Sequence, residues 1–399
     1  MTNEQKILLK LVGATLNGGT VCVESPEAVD WLSVARESDE QAVLPMAFDA
    51  AASLKQNIPE EVYKQWSDRT LTYLVNNAKV EAAQNELVGI LTNAGYPYTV
   101  IKGEASGIYY NRPELRTLGD VDFLIDPAQN DEISKLLQSC GYTSEMEDHE
   151  CHTVFKKPDA HLEMHREIPG IPYGEKGERV REYVKDLLVS CEKESRFNVP
   201  QKHHHGLILL LHTQHHLVGE GIGLRHLCDW AAFVNATHTE VFWEEKLLPL
   251  LKELGLLTFA SVLTKICSVA FATVCPAWAE TDEKLCNEML EDVFSGGNFG
   301  KKSKQRMLSG ALISNRGKDG LTQGKWSRLY VVFKENIQKK HPVTVKYPFL
   351  YPFYAVYKAV RFLILRIMGK RPSLQTVSKD IDKRKSIYKQ LKIFEVEEK

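Results

Sequence analysis

The chain has 399 residues, of which 43% are hydrophobic and 26% charged, and its formal net charge is −2. This length supports about two or three domains with a large core, and the composition is that of an ordinary soluble protein. The eight cysteines form no Cys-x-x-Cys pair, which disfavours a zinc ribbon or a disulfide framework and predicts reduced, buried thiols in a cytosolic protein. Glu4, Lys6 and Lys10 interrupt the apolar start, so no secretory signal is expected.

Charge is distributed unevenly along the chain. Residues 301–399 contain 24 Lys and Arg against 7 Asp and Glu, a local net charge of +17, whereas residues 1–300 carry −19. Such a basic region predicts an anionic partner, either a membrane surface or nucleic acid, or docking onto the acidic part of the same chain. A set of solvated helix faces is the alternative.

Residues 1–95 are predicted to form a helical N-terminal region. Apolar residues recur at mostly three- and four-residue steps between residues 71 and 91, which is the spacing of a helix, and Gly95 ends that run. Prolines at positions 26, 45 and 59 separate shorter helices before it.

Residues 96–170 are predicted to form a small mixed α/β core. An apolar strand at 98–102 ends at Gly103, a short helix occupies 104–110, and a second strand contains the paired acids described below. Asp126-Pro127 is a helix start, and that helix runs to Cys140. Residues 153–155 and 160–165 flank a Pro-Asp turn and predict a hairpin.

Two carboxylates one residue apart mark the second strand. Alternate side chains of a strand point to one face, so Asp120 and Asp122 should project together. Partial burial of two like charges is costly unless a cation compensates them, and a hard divalent ion with oxygen ligands is the usual solution. The same alternation places His161, Glu163 and His165 on one face of a later strand.

This ordered set resembles the nucleotidyltransferase superfamily, in which a Gly-containing turn precedes an Asp-x-Asp strand and a later strand supplies a third carboxylate. It is most similar to the bacterial nucleotidyltransferase-like group with the signature Leu-Lys-Gly, Arg-x-x-x-Asp-x-Asp and Glu-x-His. The resemblance covers roughly residues 85–170. The matching positions here are Ile101, Lys102, Gly103, Arg116, Asp120, Asp122, Glu163 and His165.

The resemblance implies roles for these residues. Asp120, Asp122 and Glu163 would hold Mg²⁺ or Mn²⁺, and Glu163 could instead act as the base. Lys102, Gly103 and Arg116 would bind the phosphates of an NTP such as ATP. The superfamily turn is usually Gly-Ser or Gly-Gly, whereas Glu104 follows the glycine here, and an acid beside a triphosphate is unfavourable unless it points away.

Residues 171–300 are predicted to form a helical domain with a histidine-rich helix. On that helix His205, His212 and His216 fall at steps of seven and four and share a face. The last two have the spacing of a helical zinc pair, so they are accessory candidates together with His161 and His165. The favoured interpretation is a polar stripe that lines the nucleotide or acceptor cleft.

Residues 301–399 are predicted to be a basic helical C-terminal region. The aromatic and apolar stretch at 347–368 is interrupted by Lys358, Arg361 and Arg366, and a bilayer span needs about 20 uninterrupted apolar residues, so no transmembrane span is expected. The stretch could lie on an anionic membrane or pack on the protein. The Gly-rich 295–303 segment lacks the full Walker pattern and is interpreted as a loop.

The overall prediction is a mixed α+β fold in which a small nucleotidyltransferase-like sheet is flanked by mostly helical N- and C-terminal regions. The favoured activity is transfer of a nucleoside monophosphate from an NTP to a hydroxyl acceptor. One alternative is a toxin-like nucleotidyltransferase acting on RNA or protein. Another is a degenerate relative that only binds nucleotide or a protein. The expected location is the cytoplasm, with a peripheral membrane association as a variant.

Overall fold

A computed structural model describes residues 1–145, 151–194, 196–302, 306, 334, 337–338, 341, 343–367 and 374–393. The mixed α+β architecture predicted from the sequence is confirmed, with a five-stranded sheet and a two-stranded sheet among many helices. The N-terminal helices are α1 (Asn3–Asn17), α2 (Trp31–Glu40), α3 (Leu44–Ala51) and α4 (Glu60–Ala94).

Local sequence signals fix the ends of these helices. A capping box between Thr2 and Gln5 starts α1, and its C-cap is Gly18 with φ 64°. The long α4 ends at Gly95, as predicted, in the left-handed conformation that glycine adopts without strain.

The α/β unit contains the larger sheet. Its elements are β1 (Tyr98–Val100), α5 (Glu104–Gly107), β2 (Val121–Ile125), α6 (Asn130–Ser139), β3 (Thr143–Glu145), β4 (His152–Lys157) and β5 (Ala160–His165). The strand order is β1-β2-β5-β4-β3, and only the β2–β5 pair is parallel. The predicted β4–β5 hairpin is confirmed. Asp126 caps a 3₁₀ turn that precedes α6 rather than α6 itself, and α5 is shorter than predicted.

A second helical region follows the sheet. It comprises α7 (Glu175–Val184), α8 (Leu187–Ser190), the hairpin of β6 (Glu192–Glu194) and β7 (Phe197–Val199), α9 (Lys202–Val218), α10 (Leu224–Thr237), a π-helical turn (Trp243–Leu247), α11 (Leu248–Leu254), α12 (Leu257–Phe271) and α13 (Glu283–Gly296). Strand β7 lies beside β1. The Asn198 side chain donates to the Tyr98 carbonyl at 3.2 Å, and the Asn198 carbonyl accepts from the Thr99 hydroxyl.

Two hydrophobic cores lie side by side. The larger core joins α1–α3 to α9–α13, so the N-terminal helices and the later helical region are packed as one body. The smaller core lies under the five-stranded sheet. Helix α4 belongs to both cores, since Trp66 near its start packs in the first and Leu87 near its end in the second.

Part of the basic C-terminal region docks on the acidic part of the chain. Its described helices are α14 (Val343–Lys346), α15 (Tyr351–Ile367) and α16 (Leu374–Gln390). Arg306 forms a buried ion pair with Asp292 on α13. On α16 the buried Arg384 guanidinium donates to the Leu217 carbonyl at 2.9 Å and to the Gly219 carbonyl at 3.0 Å. Docking onto the same chain was one of the alternatives predicted for this region. Arg306 and Arg384 take part in such docking.

Within the described residues, no single helix is long and apolar enough to cross a membrane. Taken together, Trp243–Leu254 and Leu257–Phe271 have the length and composition of a span, but they bend by 115°. None of the eight cysteines, all of which lie in the described ranges, forms a disulfide. Cys228, Cys267 and Cys286 are buried as expected, whereas Cys22 is exposed.

Candidate active site

The turn after β1 brings the backbone to the edge of a cavity. Gly103 has φ 62° and ψ −120°, a conformation that residues with a Cβ rarely adopt. A Cβ at this position would lie 3.6 Å from the Asp120 carbonyl oxygen, which is an ordinary contact. The backbone conformation, rather than a lack of space, therefore requires glycine here.

The parallel pairing of β2 with β5 aligns the acidic residues. Asp122 lies opposite Glu163 in the register of these two strands, and Asp120 immediately precedes β2. All three side chains line one cavity of about 290 Å³. The structure thus brings together the three carboxylates that were singled out in the sequence.

Asp122 is held by two partners. The Nζ atom of Lys102 lies 2.5 Å from Oδ1 of Asp122, and Nε2 of His165 lies 2.8 Å from the same oxygen. His165 also lies 3.6 Å from Glu163. Burial alone would raise the pKa of Asp122, but Lys102 and His165 hold that pKa well below its usual range. Asp122 is therefore ionised and fixed in orientation.

Asp120 is in a different electrostatic state. Burial, and then the neighbouring Asp122 charge, raise the pKa of Asp120 to about 6. Among the described residues, no side chain donates a hydrogen bond to its carboxylate or forms an ion pair with it. Three carboxylates thus share a largely buried space, and within the described ranges Lys102 is the one lysine or arginine in direct contact with any of them.

This donor set fits a hard divalent cation. Ligand atoms of Asp122, Glu163 and His165 all lie within 4.8 Å of one another, and carboxylate oxygens are the ligands that Mg²⁺ and Mn²⁺ favour. Asp120 lines the same cavity and adds a third carboxylate beside this group.

The helical region forms the opposite wall of the cavity. Helix α9 contributes Leu209, His212 and His216, and α10 contributes Arg225 and Asp229. The loop between these helices contributes Glu220, and the loop after α13 contributes Phe299. The site therefore lies between the sheet and the helices, and its completion requires both.

Arg116 connects the two walls. Its guanidinium makes a bidentate ion pair with Asp229, at 2.7 and 2.8 Å, and the Tyr110 hydroxyl donates to the same carboxylate at 2.6 Å. Like Lys102, this cation is already bound to a carboxylate. To bind phosphate as predicted, Lys102 and Arg116 would each have to leave the carboxylate they contact, or contact the carboxylate and the phosphate at the same time.

Arg225 was missed by the sequence analysis. Arg225 lines the cavity, and its Nε is buried without a hydrogen-bond partner. Among the described residues, the guanidinium makes one hydrogen bond, a long one of 3.4 Å to the Thr117 carbonyl. Burial, and then the nearby Arg116 charge, lower the pKa of Arg225. An arginine at the start of a helix carries no distinctive sequence pattern, so only the fold reveals it.

Phe299 was also missed, although the Gly-rich loop that carries it had been noted. Its φ of 55° places a bulky residue in the left-handed region, which is uncommon and frequent at functional sites. The ring lies 5.5 Å from the Arg225 guanidinium and 4.8 Å from the His216 ring. The loop thus closes the cavity with an aromatic surface.

The predicted histidine stripe splits into separate environments. His212 and His216 line the cavity, and their ring nitrogens lie within 4.8 Å of those of His226. Burial lowers the pKa of His212 and His216 well below the usual value and that of His226 to about 3. His205 instead pairs with the Tyr109 hydroxyl at 3.0 Å. His161 does not line the cavity, and its Nε2 is buried without a hydrogen-bond partner.

Glu104 points away from the cavity. Its carboxylate accepts a hydrogen bond from the Gln84 side chain on α4 at 2.8 Å, and it is absent from the cavity lining. The acid that follows Gly103 therefore does not face the space where phosphates would bind.

A strand, a glycine turn and a short helix, followed by acids on two adjacent strands, define a nucleotidyltransferase-like protein. The model of a family described as "Uncharacterised nucleotidyltransferase" matches residues 27–272, more than half of the chain, and the chain belongs to this family. No curated protein and no solved structure matches it. The matched range includes every cavity residue except Phe299.

Proposed function

We propose that the protein transfers a nucleoside monophosphate from an NTP to a hydroxyl acceptor, with Mg²⁺ or Mn²⁺ held by Asp120, Asp122 and Glu163. The observation that carries the proposal is the convergence of these carboxylates on one wall of a cavity whose other wall presents Arg225. When bound, the divalent ion would supply charge neutralisation for the triphosphate.

The residues around Asp122 prepare this site. Lys102 and His165 keep Asp122 ionised and in one rotamer, which lowers the ordering cost of binding a cation. Glu163 is more exposed than Asp122, at 21% against 5% of the side chain. As the alternative to holding the ion, Glu163 would take the proton from an acceptor hydroxyl. The Gly103 backbone can approach a phosphate because no Cβ intervenes.

Arg225 is proposed to bind the triphosphate. The Arg225 Nε is buried, and no carboxylate in the described part of the chain pairs with the guanidinium, which is costly. A phosphate would accept its unsatisfied donors in a bidentate arrangement. Lys102 and Arg116 lack this free capacity because each is bound to an acid. Phe299, next to Arg225, offers an aromatic face to the nucleobase.

Substitution at Arg225 tests this assignment. We expect Arg225→Gln to weaken binding of the Mg²⁺–NTP complex about tenfold or more, because a charge-assisted bidentate contact is lost, while Mn²⁺ binding without nucleotide is unchanged. Isothermal titration calorimetry measures both. Arg36→Gln, an exposed arginine on α2, is the control. Equal NTP affinity in wild type and Arg225→Gln would remove Arg225 from the proposal.

Label transfer tests the activity itself. The protein is incubated with Mg²⁺, a metabolite extract and each of the four NTPs labelled at the α-phosphate, and pyrophosphate and labelled products are followed. We expect release of pyrophosphate and a labelled product with wild type but not with Asp122→Asn. The proposal would be contradicted if, with every NTP, wild type released pyrophosphate no faster than Asp122→Asn does. The RNA and protein acceptors of the alternative hypothesis stay predictions.

A further inference from the structure

Helix α15 turns an apolar face to the solvent. Its side chains Phe353, Val356, Tyr357, Val360 and Ile364 are between 49% and 72% exposed. Their spacing of three and four residues places them in a single stripe along the helix. Phe349, immediately before the helix, is 69% exposed and extends the stripe.

This orientation is the reverse of that in an ordinary surface helix. A helix that stabilises a globular core buries its apolar stripe, whereas on α15 the apolar stripe is exposed and Tyr351, Tyr354, Ala355 and Lys358 on the other side are partly buried. No residue in the described ranges covers the stripe. Several large apolar side chains contiguous on one face indicate an interaction surface.

The charge around the stripe is of one sign. Residues 341–367 contain four Lys and Arg and neither Asp nor Glu. Arg361, one position beyond Val360, and Lys346, before the helix, are exposed. Four tyrosines stand at 347, 351, 354 and 357, and amphipathic aromatic rings are enriched where lipid headgroups meet water.

These features select a lipid surface as the occupant. An interfacial helix has an exposed apolar face, cations along its flanks and few acids, and it binds through buried apolar area plus attraction to anionic headgroups. An insertion across the bilayer is disfavoured because Lys358, Arg361 and Arg366 interrupt the apolar stretch. The net charge of +17 over residues 301–399 adds a long-range attraction to the same surface.

We propose that α15 docks the protein onto anionic membranes, with the stripe of Phe353, Val356, Tyr357, Val360 and Ile364 inserted at the headgroup level. The active-site cavity is formed by other elements, so this proposal stands independently of the proposed transferase activity. It places the protein at a membrane surface. If the proposed transferase activity also holds, an acceptor hydroxyl on a lipid or a lipid-linked molecule would be in reach there.

Vesicle cosedimentation tests the proposal with the full chain. We expect wild type to sediment with vesicles of phosphatidylcholine containing phosphatidylglycerol and to remain in the supernatant with pure phosphatidylcholine. The double variant Val356→Asp/Val360→Asp should lose about tenfold or more of this binding, because two charges would enter the interface. Raising the salt concentration should weaken wild-type binding.

The matched control is Val189→Asp/Val241→Asp. These valines are 91% and 64% exposed on α8 and on the loop after α10, so the control changes net charge and surface polarity equally. All four valines are exposed, so unchanged thermal unfolding is expected of both double variants.

Three outcomes would overturn the proposal. Wild type could fail to bind anionic vesicles, or Val356→Asp/Val360→Asp could bind as well as the control. In the third outcome, light scattering shows that wild type is a dimer and that Val356→Asp/Val360→Asp is a monomer, and wild type does not bind vesicles. That result would assign the stripe to contact between two copies of the chain.

Discussion

At the scale of single residues, one buried ion pair holds the sheet against the helices. Arg116 and Asp229 are 5% and 11% exposed, and the Tyr110 hydroxyl completes the carboxylate's hydrogen bonding. Removing one partner of such a pair leaves an uncompensated charge in a dry environment, which costs far more than the pair contributes. The pair therefore determines whether both walls of the cavity stay together.

The first prediction concerns this pair. We expect Arg116→Met to lower the free energy of unfolding by about 3 kcal/mol, because Asp229 is left charged and buried. The control is Arg112→Met, which breaks the exposed pairs with Asp49 and Glu114 and should cost less than about 1 kcal/mol. Urea unfolding measures both changes, and equal losses for the two variants would contradict this account.

The second prediction concerns the pH dependence of stability. Burial, which is the largest cause, lowers the pKa of His205 from 6.5 to about 4. The unfolded chain binds this proton more tightly than the folded protein, so the contribution of neutral His205 is present above pH 6.5 and is lost as the pH falls toward 4. At pH 5 that loss is about 2 kcal/mol.

The variant His205→Gln lacks this titration. The free energy of unfolding of wild type, relative to that of His205→Gln, should therefore be about 2 kcal/mol lower at pH 5 than at pH 7.5. Denaturant unfolding at the two pH values measures it. A difference that does not change with pH would show that His205 is not held neutral by burial.

Residue chemistry also explains which site residues the sequence could reveal. Asp120, Asp122 and Glu163 stand out because acids inside apolar, alternating runs have no structural reason to be there. Arg225 and Phe299 do not, because an arginine or phenylalanine near a helix or loop is common and its exposure depends on distant packing. The pairing of Arg116 with Asp229 could not be predicted either, since Asp229 is more than a hundred positions from Arg116.

At the scale of elements, α4 shows how far periodicity reaches. Its apolar spacing predicted the helix and its end at Gly95, but Leu71 and Val75 are 61% and 51% exposed. Polar residues on the other face are buried because they form hydrogen bonds to loops. The apolar spacing of the helix does not predict these contacts. Asn77 donates to the Glu114 and Arg116 carbonyls, at 3.0 and 2.8 Å, and accepts from the Leu118 amide at 2.9 Å.

The third prediction follows from this contact. Asn77 fixes the loop that leads into Asp120, so Asn77→Ala should lower the free energy of unfolding by about 3 kcal/mol, since several buried backbone groups lose their partner. Asn93→Ala changes the same residue type at an exposed position on the same helix and should be nearly neutral. Equal effects of the two substitutions, measured by urea unfolding, would refute the proposed role of Asn77.

At the scale of the whole molecule, the cavity exists because two cores meet. The sheet supplies the acids, and α9 and α10 supply the wall that carries Arg225. Sequence patterns predicted the sheet, the hairpin and the helical flanks, because those depend on local periodicity and turn residues. The shared core of α1–α3 with α9–α13 depends on contacts between residues that are at least 150 positions apart, which local patterns do not encode.

The proposed function requires Asp120 and Asp122 to bind a divalent cation together with an NTP. Thermal unfolding of wild type and of Asp120→Asn/Asp122→Asn, with each NTP and with or without Mg²⁺, measures this most directly. Asp68→Asn/Asp131→Asn, at exposed positions, is the control for the change in charge. We expect at least one NTP to stabilise wild type and the control only when Mg²⁺ is present, by about 2.7 kcal/mol at a hundredfold excess over Kd. No stabilisation of wild type by any NTP with Mg²⁺, or the same stabilisation of Asp120→Asn/Asp122→Asn, would contradict the account.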